Sequence, residues 1–135
     1  MRLQPTAAAV TIVLSSALAV PRAGAGPDAF ALHNEEALRN EKTPAGKAYS
    51  PVFGKEFGAG FAPRVTECAK RTGGPRSDPF DLVLKLDGKG RVQDALVHPR
   101  TPLSQCFAKE TRKATFPAPP SPGYWVAARM RFTGP

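Results

Sequence analysis

The side chains best suited to chemistry in this sequence are two cysteines, Cys68 and Cys106, and two histidines, His33 and His98. A cysteine nucleophile needs a base within hydrogen-bonding reach, and His98 lies close to Cys106 in the sequence. However, His98 precedes Pro99 at the end of a predicted strand, whereas Cys106 falls on the apolar face of a predicted helix. We therefore interpret Cys106 as half of a disulfide and His98 as an exposed residue, rather than as a catalytic pair.

The other titratable residues also indicate structural roles. His33 stands near two glutamates on a predicted helix, which is typical of a solvated helix surface. The cysteines and histidines lack the close ligand spacings of zinc sites. Asp81, Asp87 and Asp94 fall on a strand exterior, in a turn and at a bulge, where ordinary structural roles account for them. The sequence therefore offers no catalytic residue, no metal site and no cofactor site.

Residues 1–25 have the pattern of a secretory signal peptide. Met1–Pro5 is a short, positively charged start, Thr6–Val20 is an uncharged stretch rich in Ala, Val and Leu, and Ala23–Ala25 supplies small residues for cleavage. The apolar stretch is shorter than the roughly 20 residues of a membrane-spanning helix. We expect a periplasmic or secreted protein with no membrane span after cleavage, and an uncleaved anchor is the alternative.

Export and the even number of cysteines favour a disulfide between Cys68 and Cys106, the only pairing that two cysteines allow. Closing a loop of about 40 residues stabilises a small domain by roughly 4 kcal/mol in the chain-entropy model. Two free thiols, or a reactive Cys106, are the alternatives at this point.

The charge of the chain narrows the class of partner only in part. The formal net charge is +8. Without residues 1–25, 17 basic side chains remain against 11 acidic ones, a net +6. Such a surface favours an anionic partner or simply keeps the protein solvated. The basic residues are scattered and not interleaved with aromatic ones, so we expect no nucleic-acid partner.

Residues 26–60 are expected to form short helices. Asp28 is suited to begin a helix, and Thr43-Pro44 has the cap-then-proline pattern of a second start. Gly58-Ala59-Gly60 interrupts the apolar spacing that follows. We expect a domain to begin at residue 61 and to continue to residue 135.

The first half of that domain reads as a helix and a β-hairpin. Apolar and charged residues occupy opposite faces over residues 61–72, which predicts a helix that carries Cys68. Phe80–Leu86 alternates apolar and polar residues as a strand does, and Asp87–Gly90 is typical of a hairpin turn. The apolar spacing after this turn requires a β-bulge near Gln93-Asp94.

The second half reads as a helix and a last strand. Thr101-Pro102 predicts a helix start, and the helix carries Cys106 on its apolar face. Tyr124–Phe132 predicts a strand whose two faces differ. Trp125, Arg129 and Arg131 share one face and would form an exposed aromatic and basic stripe. That stripe, with Tyr124, is a candidate partner-binding edge; an ordinary strand exterior is the alternative.

Several short motifs occur together in residues 61–132. They are Cys68, Leu82–Leu86, Gly90-Arg91-Val92, Thr101–Cys106, Phe116–Pro119 and Trp125–Ala128. In order and spacing they resemble the TonB C-terminal-like fold, most closely the cysteine-bearing type at the end of AgmX/PglI gliding-motility proteins. The resemblance implies an exported, non-enzymatic α+β domain. Its small antiparallel three-stranded sheet would carry helices on one face, in the order helix–strand–strand–helix–strand, preceded here by short helices.

The resemblance also implies a mode of binding. In TonB the domain adds a segment of an outer-membrane transporter as an extra strand at the edge of its sheet, and the corresponding edge here is Tyr124–Phe132. TonB itself needs a membrane anchor and a long Pro-rich spacer, whereas this chain has a signal-like start and about 35 mostly helix-like residues. We therefore expect a stand-alone module that engages a protein or an anionic envelope component through the sheet edge or a basic face. The alternatives are a small secreted enzyme using Cys106 or a histidine, and a membrane-tethered transducer component.

Overall fold

The computed structural model of the protein describes residues 27–73 and 79–131. The predicted signal peptide and Phe132 lie outside the described residues. The elements, in chain order, are α1 (Pro27–Lys42), α2 (Pro44–Thr72), β1 (Phe80–Leu86), β2 (Val92–His98), α3 (Pro102–Thr111) and β3 (Tyr124–Met130). The predicted α+β class with a three-stranded antiparallel sheet is confirmed.

The hairpin between β1 and β2 follows the sequence pattern. The Asp87 carboxylate accepts hydrogen bonds from the backbone N–H groups of Lys89 and Arg91, both at 2.9 Å, and Gly90 adopts a positive φ of 82°. In the register, Lys85 pairs with Asp94 but Leu86 pairs with Val92, so Gln93 is an extra residue. The predicted β-bulge is therefore confirmed.

The sheet order is β2-β1-β3, so β1 is central and β3 is an edge strand. One sheet face packs against α2 and α3, because the apolar residues that alternate along β1 all point toward these helices. This core contains Phe80, Leu82, Leu84, Leu86, Ala95, Val97, Tyr124, Val126 and Met130, with Phe53, Phe57, Val65 and Phe107 from the helices.

The opposite sheet face is covered by α1, which lies outside the helix–strand–strand–helix–strand unit whose two helices, α2 and α3, share the other face. Phe30 and Ala37 of α1 form a second apolar cluster with Val83 and Trp125. Val83 is fully buried on the face where a one-sided sheet would expose a polar residue. The physical reason is that this second face carries Val83 and Trp125, large apolar side chains that α1 removes from water.

The predicted short helices of residues 44–60 are instead the first half of a long helix. α2 continues through Gly58-Ala59-Gly60 to Thr72, past the expected domain start at residue 61. Each helical glycine costs about 1 kcal/mol relative to alanine. The aromatic rings of α2 offset this cost, because Phe53 and Phe57 recur at helical spacing and are buried in the core.

The predicted disulfide is present and joins α2 to α3. Cys68 is fully buried, and the pair packs with Ala69 and Leu103. α3 begins as expected: the Thr101 hydroxyl accepts from the N–H of Ser104 at 3.1 Å, and the Ser104 hydroxyl accepts from the N–H of Thr101 at 2.9 Å. The cap and the disulfide together fix α3 against α2 and the sheet.

Candidate functional site

The predicted partner-binding residues lie on β3, but they do not form an exposed stripe. Tyr124 and Trp125 are buried, with exposed fractions of 7% and 4%. Arg129 and Arg131 are exposed, and the Arg131 guanidinium donates to the Asp81 carboxylate at 3.0 Å. The expectation of an exposed aromatic side chain at position 125 is therefore wrong, because α1 covers that face of the sheet.

Two side chains of α1 hold Trp125 in place. The imidazole of His33 stacks on the Trp125 ring with a centroid distance of 3.9 Å, so His33 does not lie on a solvated helix surface as expected. About two helical turns further on, the Asn40 amide donates to the backbone carbonyl of Trp125 at 3.0 Å. The sequence pattern predicts neither contact, because a buried helix face is recognised by the spacing of apolar residues, and His33 and Asn40 are polar.

The hydrogen bond from Asn40 shows which backbone groups of β3 face outward. In an antiparallel strand the N–H and C=O of one residue point to the same side, and successive residues alternate. Since the Trp125 carbonyl is bonded by α1, Ala127 and Arg129 also point their N–H and C=O away from β1. Apart from the sheet ladder, no group in residues 27–73 or 79–131 bonds to the backbone of Ala127 or Arg129.

A cleft runs beside this open edge. Its volume is about 180 Å³, and one side of it is lined by the β3 residues from Tyr124 to Ala128. Ala37 and Glu41 of α1 form one wall. The other wall belongs to α2 and consists of Ser50, Phe53, Gly54 and Phe57. Position 54 of this wall has no side chain, and a Cβ added there would meet nothing within 4 Å.

The other sheet edge, on β2, is partly closed. The Ala95 N–H donates to the Asp94 carboxylate at 2.8 Å, and the Ala95 carbonyl accepts from the Arg112 guanidinium at 3.1 Å. Near the start of the strand, Arg91 forms an isolated bridge with Thr115. Such caps, like the bulge at Gln93, are the devices that protect an edge strand from further pairing. The edge of β3 carries fewer of them.

Two tyrosines, Tyr49 of α2 and Tyr124 of the cleft lining, meet where β3 begins. Tyr49 and Tyr124 meet edge to face at a centroid distance of 5.6 Å, and the Tyr49 hydroxyl donates to the Pro117 carbonyl at 2.8 Å. Burial raises the pKa of Tyr49 to about 12 and also raises the pKa of Tyr124. Both phenols are therefore neutral at physiological pH and serve as hydrogen-bonding and packing groups.

Among the described residues, the cysteines and histidines that could support catalysis or bind a metal do not come together in a site. Both cysteine sulfurs are joined to each other, so neither is a thiol while the disulfide is intact. His98 is exposed, as predicted, and its ring lies 5.5 Å from that of Phe30. Within residues 27–73 and 79–131, no three His, Cys, Asp or Glu side chains come together in a way that could hold a metal ion.

The acidic residues weighed as catalytic groups have structural partners. Asp81 pairs with Arg131, and Asp94 pairs with Arg112 at 3.3 Å. Asp87 accepts hydrogen bonds from the backbone and side chain of Arg91, which lowers the pKa of its carboxyl group. Each carboxylate thus lies at a different place on the sheet, and they do not share a cleft.

Comparison with protein families, with curated proteins and with solved structures finds no match to this chain. No helix in the described part of the chain combines the length and the apolar character needed to cross a membrane.

Proposed function

We propose that the protein is an exported, non-catalytic binding module of the bacterial cell envelope, and that it takes an extended segment of a partner protein as a fourth strand at the β3 edge. The observation that carries this proposal is the outward-facing backbone of Ala127 and Arg129 beside the cleft between α1 and α2. Strand addition draws its affinity from main-chain hydrogen bonds, and neighbouring pockets select the side chains. The cleft supplies such a pocket.

The geometry of the cleft also indicates what kind of segment fits. The lining is mostly small or aromatic, and Glu41 is its one charged residue among the described part of the chain. Small apolar side chains on one face of the added strand would pack against Phe53 and Phe57. A basic side chain near Glu41 would be tolerated better than an acidic one.

Export is supported by the signal-like pattern of residues 1–25 and by the buried disulfide, because structural disulfides persist in oxidising compartments. We expect the mature protein from its native host to begin near Gly26. Its intact mass should increase after alkylation only when the protein is first reduced. Retention of Met1–Val20 would instead favour the membrane-tethered alternative, and alkylation without reduction would exclude a stable disulfide.

The resemblance to the TonB C-terminal-like fold remains part of the proposal. The element order from α2 to β3 is the helix–strand–strand–helix–strand order that the resemblance implies. The helix α1 is not part of that order, and it covers the second face of the sheet. In this proposal α1 provides one wall of the binding cleft, so it is part of the site rather than a spacer.

A pair of glycine substitutions on α2 tests the site. Gly54→Leu places a side chain in the cleft, whereas Gly58→Leu adds the same side chain one turn away, where a Cβ meets nothing within 4 Å. Leucine is roughly 0.8 kcal/mol better than glycine in a helix, so neither variant should lower the free energy of unfolding. We expect only Gly54→Leu to weaken a binding peptide, by about tenfold or more, because it removes the pocket for one side chain.

The probe for this test is a fluorescent peptide selected from a random displayed library against the wild-type protein, and fluorescence anisotropy gives its Kd. Equal affinity for both variants would place the peptide elsewhere and contradict the proposed cleft. Unfolding in urea, followed by the fluorescence of the single tryptophan, Trp125, provides the stability control.

A further inference from the structure

A second groove lies on the other side of the domain, between β2 and α3. Its volume is about 410 Å³, and its floor consists of Ala95 and Val97 from the strand and Ala108 from the helix. The rim carries Arg100 at one end, with Lys109 and Arg112 along α3. We call this feature the β2–α3 groove.

The charge of the β2–α3 groove is of one sign. Among the described residues, three cationic side chains line it and no carboxylate does. Arg112 pairs with Asp94 at 3.3 Å. Arg100 and Lys109 have no ion-pair partner in the described part of the chain.

The acidic residue of α3 does not balance this charge. Glu110 turns toward α2, where it pairs with Arg71 at 2.9 Å and with Lys113 at 3.2 Å. These partners lower the pKa of the Glu110 carboxyl group, so it stays ionised and engaged there. The positive charge of the groove is therefore not balanced from α3, and a basic rim over a partly apolar floor favours an anionic ligand.

The shape of the groove favours an extended chain. It lies along Ala95 and Val97 of β2 and continues to Arg100, beyond the end of the strand. By the same alternation that places Ala95 outward, Val97 points its N–H and C=O away from β1. Within the described residues no side chain or loop bonds to these two groups. A ligand that follows the groove thus meets backbone hydrogen-bonding groups at its centre and cations at its ends.

We propose that the β2–α3 groove binds an acidic, extended peptide segment of a partner protein. Carboxylates of the segment pair with Arg100 and Lys109, and its backbone bonds to Val97. An anionic lipid fits less well, because the floor of two alanines and one valine is too shallow to hold an acyl chain. This site is separate from the β3 cleft, which lies at the opposite edge of the sheet.

A charge-matched pair of double variants tests this inference. Arg100→Gln/Lys109→Gln removes two cations from the groove, whereas Arg39→Gln/Lys55→Gln removes two exposed cations that line neither groove nor cleft. The probe is a fluorescein-labelled, end-capped peptide of alternating Glu and Thr residues. We expect the first variant to weaken its binding about tenfold and the second less than about twofold, because only local charge contacts are lost in the first.

Three outcomes would overturn the inference. The first is the absence of specific binding. It would appear either as no binding to the wild-type protein or as equal weakening by the two double variants, and equal weakening would show that only diffuse charge attracts the peptide. The second is loss of peptide binding in Gly54→Leu, which would assign the acidic peptide to the β3 cleft. The third is binding to vesicles of phosphatidylglycerol and phosphatidylcholine that depends on Arg100 and Lys109 while the peptide does not bind, which would assign the groove to lipid. Retained binding by Gly54→Leu supports the inference.

Discussion

Replacing both cysteines in the Cys68→Ala/Cys106→Ala variant is expected to lower the free energy of unfolding by about 4 kcal/mol in the chain-entropy model, because the disulfide closes a long loop. Small domains have a total stability of about 5–15 kcal/mol, so this is a large part of it. The measurement is urea unfolding at equilibrium, followed by the fluorescence of buried Trp125.

The wild-type protein under reducing conditions provides the control for this variant. It loses the covalent link but keeps both sulfur atoms in the core, so the comparison separates cross-linking from packing. We expect the reduced protein to unfold almost as readily as the double variant. A loss below about 1 kcal/mol in both would mean that the unfolded chain is already restricted near these residues, contrary to the chain-entropy model.

The Gly90→Ala substitution in the hairpin is expected to lower the free energy of unfolding by about 3 kcal/mol. Gly90 adopts a φ of 82°, which disfavours alanine by roughly 1–2 kcal/mol. In addition, a Cβ at this position would overlap the backbone carbonyl of Phe116. The backbone at Phe116 would have to move, although its N–H donates to the Gly90 carbonyl at 2.8 Å. Chemical or thermal unfolding measures the effect.

Gly88 in the same turn is the matched control. A Cβ there would meet its nearest heavy atom, Cγ of Pro122, at 3.4 Å, and its φ lies outside the left-handed region. Gly88→Ala should therefore change the stability by less than about 1 kcal/mol. Similar losses of stability for the two substitutions would contradict the account of Gly90. They would mean that any glycine in this turn is costly to replace, whether or not its backbone lies close to Phe116.

The sequence predicts the parts of this fold that depend on local chemistry. Asp87 and Gly90 identify the hairpin, the Val92–Ala95 spacing identifies the bulge, and Thr101-Pro102 identifies the start of α3. The disulfide is predictable as well, since two cysteines on the apolar faces of two helices allow one pairing. In each case a few neighbouring residues determine the structure.

The position of α1 is not predictable in the same way. Its sequence has a thin apolar stripe, and two of its contacts with Trp125 of the sheet come from His33 and Asn40, which are polar. The one available signal is Val83, an apolar residue on the face of β1 that a one-sided sheet would leave polar. The continuity of α2 is missed for a related reason: local glycine signals are overridden by burial of Phe53 and Phe57 in tertiary contacts.

The proposed site lies on the strand that the sequence and the resemblance both favour. The Trp125 side chain, expected to be exposed, is buried, and the cleft beside the backbone of β3 was not predicted. Outward backbone groups leave no trace in residue types, because every residue carries the same N–H and C=O. The missing side chain at Gly54 is the signal that was available, since glycine in a helix interior is otherwise unfavourable.

Amide hydrogen exchange by NMR, without and with the selected peptide, tests strand addition at β3 most directly. In the free protein we expect rapid exchange at the N–H groups of Ala127 and Arg129, because they face outward, and slow exchange at Val126, which pairs within the sheet. With the peptide bound, exchange at Ala127 and Arg129 should slow by about tenfold or more. Unchanged exchange at both amides, or protection at Val97 on the β2 edge instead, would contradict the proposed function.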